Sequence, residues 1–124
     1  MPVSWRFRGT ILWLSVCGVV TNAEIEAAFG EAVAGAPQRR DLRLLWDARE
    51  TQTPLTAEDV EWRYQLVSAL AGRGVLSRAA LLVRPDQTVF LELGRQELWK
   101  ALPALDSDTF ADEAEALAWL EPPS

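Results

Sequence analysis

Residues 3–18, VSWRFRGTILWLSVCG, run directly into TNAE, and this junction limits the choice of fold more than any other stretch. VSWRFR alternates, with Val3, Trp5 and Phe7 on one face and Ser4, Arg6 and Arg8 on the other, which is the period of a half-buried strand. Gly9 lets the chain turn back into TILWLSVCG, whose nearly unbroken apolar character suits a strand covered on both faces. Thr21 and Glu24 then stand at capping-box spacing, where each side chain bonds the other's backbone N–H and opens a helix. A hairpin delivered straight into a helix predicts an α/β domain.

The remainder of the chain continues that alternation. Ile25, Ala28, Phe29, Ala32, Val33 and Ala36 recur at spacings of three and four, an apolar stripe closed by Pro37. LRLLWD, residues 42–47, reads as a third and largely buried strand. A second helix follows from Thr56, where TAED repeats the capping pattern and Glu58 and Asp59 suit the positive end of the helix dipole. Val60, Tyr64, Val67 and Ala71 share its apolar arc with Leu66 and Leu70, with Trp62 at the arc's edge. Gly72 and Gly74 end it, and SRAALLV, residues 77–83, is a fourth strand. Residues 86–102 have the length and propensity of a helix, with Gly94 as a local weakness. DSDTF predicts a short fifth strand, and DEAEALAWL a terminal helix burying Ala114, Leu117, Ala118 and Trp119. The order is ββαβαβαβα: a mixed sheet of four to five strands with an N-terminal β-hairpin, about four helices and right-handed crossovers. The ligand edge of such a sheet lies in the loops after its parallel strands, at Gly18–Thr21, Asp47–Pro54 and Arg84–Asp86.

What is missing excludes more chemistry than what is present suggests. The 124 residues include no histidine, which removes His-based triads, His metal sites and an imidazole base. The single Cys17 cannot close an intrachain disulfide, and within an apolar run it is expected to be a buried small hydrophobe. A net charge of −6 disfavours nucleic acid and anionic lipid as partners. With 49% hydrophobic residues, the chain is too apolar for disorder. Arg6 and Arg8 before TILWLSVC imitate a secretory leader, yet the alternation of VSWRFR, the bulk of Val16 before Cys17 and a run too short to span a bilayer argue for a strand instead. We therefore expect a single cytoplasmic domain spanning 1–124, without stable membrane insertion and without a cofactor or metal.

The closing FADEAEALAWL resembles the phenylalanine, acidic turn and Ala-Leu-Ala-Trp-Leu ending of SpoIIAA-like proteins, small bacterial domains related to the STAS fold. GVVTNAE is similar to that family's strand exit and first helix start, LLWDARE to its third strand, and SRAALLVRPDQTVFLELGRQELW to its fourth strand and following helix. The resemblance implies a compact, non-enzymatic domain. It also implies either of two roles: a protein-binding or regulatory module, or a carrier of a small apolar or lipid ligand held between sheet and helices.

Anti-sigma antagonists of the related fold carry a phosphoacceptor serine where this chain has Thr51, Thr53 and Thr56, but their Asp-Ser-x-Gly pattern is absent here. Thr56 has a sufficient role as a helix cap, and a phosphate there would crowd Glu58 and Asp59. Asp47 and Arg49 form an Asp-x-Arg pair at the strand's carboxyl edge, suited to anchoring a loop or to meeting an anionic ligand. Of the six tryptophans, Trp5, Trp13, Trp46 and Trp119 fit core or lid positions, whereas Trp62 and Trp99 would form an exposed patch for a partner or a homodimer. Carboxylate pairs such as Glu24 with Glu26 and Asp106 with Asp108 have no nucleophile to join and read as solvated faces. GRG at 72–74 lacks the lysine of a phosphate loop. No catalytic set emerges, and the expected function is binding.

Overall fold

The structure is a computed structural model and describes residues 3–36, 41–51, 57–87 and 106–121. In chain order it contains β1 (Val3–Arg8), β2 (Ile11–Gly18), α1 (Asn22–Ala34), β3 (Leu42–Thr51), α2 (Ala57–Gly72), β4 (Leu76–Leu82), a 3-10 turn (Pro85–Gln87), β5 (Asp106–Phe110) and α3 (Glu113–Leu120). The sheet order is β1-β2-β3-β4-β5. Its first pair is antiparallel and the other three are parallel. The helix expected at 86–102 lies, beyond that 3-10 turn, outside the described residues.

Local chemistry accounts for the boundaries. Gly9, at φ +62, occupies the first position of the two-residue β1–β2 turn, where type II′ geometry favours glycine. The Thr21 hydroxyl accepts from the Glu24 N–H at 3.2 Å, and the Glu24 carboxylate accepts from the Thr21 N–H at 3.2 Å, completing the capping box. At the end of α2, Gly74 adopts φ +74. Its N–H donates to the Ala71 carbonyl at 3.1 Å, and that of Val75 to Leu70 at 3.0 Å. This is a Schellman closure with buried Leu70 and Val75 as its apolar contact.

Alternation along the strands separates two cores. Leu12, Leu14 and Val16 of β2, with Leu44, Trp46 and Ala48 of β3, face α1 and α2, where Ile25, Phe29, Val67, Leu70 and Ala71 close over them. Phe29 meets Trp46 with ring centroids 5.7 Å apart. Phe29, Leu44 and Val67 in this layer are all buried essentially completely. On the second face, Ile11, Trp13, Leu45, Ala80 and Leu82 pack, among the described residues, against Ala116, Leu117 and Leu120 of α3.

Three sequence expectations are corrected. The third strand does not stop at Asp47: parallel pairing with β2 carries it on to Gly18↔Thr51. On α3 the buried positions are Ala116, Leu117 and Leu120, while Ala114 and Ala118 are exposed. Two arginines that grip its last carbonyls set the roll of so short a helix: Arg43 Nη1 donates to Leu120 at 2.9 Å and Arg78 Nη1 to Trp119 at 2.6 Å. Cys17 is exposed, because it points to the second face beyond the reach of α3.

Candidate functional site

The eight residues of α3 cover the second face only in part. Among the described residues, the part of that face over β1 and the far ends of β2 and β3 is left as a shallow groove of about 310 Å³, lined by Ser4, Arg6, Trp13, Ser15, Asp47, Arg49 and Glu113, with Trp5 at its border. The pleat places them there: alternate residues of three adjacent strands share a face, and Arg6 stands directly across from Trp13, as Ser15 does from Asp47.

Arg49 organises the charge. Its Nε and Nη2 donate to the two oxygens of Asp47 at 3.0 and 2.8 Å, a bidentate fork, and Nη2 also reaches Glu113 at 3.1 Å. The Arg49 N–H adds a bond to Asp47 at 3.2 Å. The Asp47 side chain is only 13% exposed. Burial alone would push its carboxyl up, but the side-chain and backbone bonds from Arg49, its charge and a bond from the Trp13 indole together hold it below its ordinary value. The Arg49 guanidinium is pushed up, chiefly by its bond to Asp47, with Glu113 contributing and partial burial opposing. Arg84 ties β4 to the same strand end, donating to the Arg49 carbonyl at 2.8 Å and pairing with Asp86 at 3.1 Å.

Arg6 is different. Its guanidinium lies 4.3 Å from the centre of the Trp13 ring, a cation–π stack at an open site. No carboxylate is within ion-pair distance of it among the described residues.

The structure thus brings Asp47 and Arg49 together and adds Glu113 to them, in the loop-anchoring geometry rather than as a free guanidinium. Thr51 ends β3, while Thr53 and Thr56 lie outside the described residues. Trp62 is half-buried and packs in part against the first core; Trp99, the other residue of the expected patch, lies outside the described residues. Among the described residues of the expected ligand edge, the exposed large apolar side chain is Val19, 72% accessible, too small to make a patch by itself. Sequence reasoning missed Ser4, Arg6, Trp13, Ser15 and Glu113. The alternation of VSWRFR had put Arg6 on the outer face, but only the hairpin register sets it over Trp13. Among the described residues no group of three or more acidic or cysteine side chains is arranged to hold a metal, and no helix is long and apolar enough to cross a membrane.

Compared with solved structures, the chain superposes on an uncharacterized protein of the DUF3478 family from Shewanella loihica PV-4, described as having a SpoIIAA-like fold. The TM-score is 0.63 at 17% identity, over 96% of this chain and 92% of that one. The fold is SpoIIAA-like. At this identity the likeness extends to the architecture and not to an activity. No protein-family model matches the chain, and no curated protein matches it. The SpoIIAA-like sheet here has the mixed five-stranded form with an N-terminal hairpin, and its described residues include three α-helices.

Proposed function

We propose that this SpoIIAA-like domain is a non-catalytic protein-binding module that meets its partner through the open half of the second face. One observation supports the reading above all: in that groove Arg49 already engages both carboxylates, and the one guanidinium presented outward, Arg6, lies over the Trp13 ring. Such a surface has shape and a positive group set over a buried indole, attributes that suit recognition. A proton-transfer site would need an acid or base free to change its charge. Carriage of an apolar ligand is the second reading: an open groove of about 400 Å³ lined by Phe29, Val33, Leu66 and Leu70 runs between α1 and α2.

The test is site-specific photo-crosslinking in lysate of the native host, with p-benzoylphenylalanine in place of Ser4 and, as control, of the exposed Glu26 on α1. A protein adduct formed at Ser4, absent at Glu26 and competed by unlabelled chain is expected. A stoichiometric small molecule carried by the native protein in mass spectra, with no adduct at Ser4, would replace this reading with the carrier.

A further inference from the structure

The edge of the sheet beside that groove has its own recognition geometry. β1 pairs with β2 on one side only, so alternate N–H and C=O groups along its outer side have no partner strand among the described residues. Between this edge and α1 lies a second open groove of about 370 Å³, walled by Val3, Trp5, Ala27 and Ala28, with Glu24 and Glu31 also on its helix side. On the opposite face the same edge presents Arg6 and Arg8, both exposed and neither within ion-pair distance of a carboxylate among the described residues. They form an unpaired basic row on a chain of net charge −6.

An edge strand lying beside a helix, with an apolar groove between them, is the arrangement by which an extended peptide adds to a sheet. The side chains of an added strand would alternate between the two grooves. Those facing α1 would enter an apolar groove where a carboxylate would meet Glu24 and Glu31. Those on the other face would stand across from Arg6 and Arg8. We propose that β1 accepts an extended segment of the partner as a sixth strand, with apolar residues in the α1 groove and acidic residues at alternate positions over Arg6 and Arg8. This rests on the binding-module reading and names the partner's chemistry. A second copy joined through its own β1 is disfavoured, since a two-fold pairing would bring Arg6 and Arg8 against their own images. An acidic row such as Asp106 and Asp108 on β5 would not meet that objection, which makes self-association an outcome to be measured.

The probe is a capped, fluorescein-labelled nonapeptide of alternating Glu and Val, titrated into the full chain and read by fluorescence anisotropy. An alternating Lys and Val peptide and two Glu–Val versions, each N-methylated on one alternate set of backbone amides, serve as comparisons. Saturable binding of the Glu–Val peptide is expected, weakened at least about tenfold by the charge change and by one of the two methylation patterns. Arg6→Glu with Arg8→Glu is expected to reverse the charge preference. Ala27→Trp, which fills the α1 groove from an exposed position, is expected to block binding with the arginines intact, and far-ultraviolet circular dichroism checks that both variants fold. The proposal is overturned by absence of binding at about 1 mM peptide, by binding indifferent to both methylation patterns, or by self-association in sedimentation that the arginine reversal abolishes. A Ser4 photo-adduct without peptide binding removes the added strand and leaves the binding module standing. Loss of both removes both.

Discussion

The two faces of one sheet are built in different ways. The first is an apolar layer under two long helices, in which Leu12, Leu14, Leu44, Trp46, Phe29 and Val67 are buried together. The second is closed by an eight-residue helix that polar ties hold at both ends: Glu113 to Arg49 at its start, and the carbonyls of Trp119 and Leu120 to Arg78 and Arg43 at its finish. Arg78 also lies 4.8 Å from the Trp119 ring centre. The arginines meet the negative end of the helix dipole. Among the described residues, one face is therefore a continuous apolar layer, whereas on the other the short tethered helix covers Ile11 and Trp13 but leaves the β1 side bare.

Substitutions that separate the two faces test this contrast, and the largest effect is expected on the first. Phe29→Ala removes a ring buried against Trp46 and should cost about 3 to 5 kcal/mol in urea denaturation. Comparable stability in that variant would mean the layer is looser than its burial indicates. Arg78→Ala frees the Trp119 carbonyl and the stacked ring, with an expected loss of about 1 to 2 kcal/mol. Hydrogen exchange should quicken in α3 before α1 or α2, and uniform quickening would erase the distinction between the faces.

Thr21→Ala removes the cap of α1 and should cost about 1 kcal/mol, an effect confined to the first-face layer. Asp47 sharpens the comparison through pH. Its folded pKa lies below the ordinary 3.8, so its contribution is fully present above that value and is lost as pH falls through the lower folded one. Asp47→Asn should thus flatten the stability profile below about pH 4, and an unchanged profile would remove the Asp47–Arg49 fork from the account. The smallest effect is expected at Cys17. Cys17→Ser should change stability by less than about 0.5 kcal/mol, and the native thiol should react with a disulfide reagent without denaturant, since the residue is exposed.

What was legible in the sequence follows the range of the forces involved. The hairpin at Gly9, the Thr21–Glu24 capping box, the stripe of α1, the glycine stop of α2 and the DSDTF strand all depend on neighbours within a few residues, and all are found where expected. The pairing of Asp47 with Arg49 is likewise local. The end of β3, the roll of α3 and the exposure of Cys17 were misjudged, because partners distant in the chain decide each of them. β3 extends because β2 lies beside it, and α3 turns Ala116 inward because Arg43 grips a carbonyl 77 positions away.

By itself the sequence determined an α/β domain with an N-terminal hairpin, the approximate places of its strands and of the helices α1 to α3, and the absence of histidine chemistry, since periodicity, caps and composition act within single segments. Only the tertiary structure decided which part of the second face the described residues leave uncovered and which residues meet there. Ser4 and Arg6 on β1, Trp13 on β2, Asp47 and Arg49 on β3 and Glu113 on α3 become neighbours through strand register and helix length. Those are cooperative properties of the packed sheet that no single segment carries.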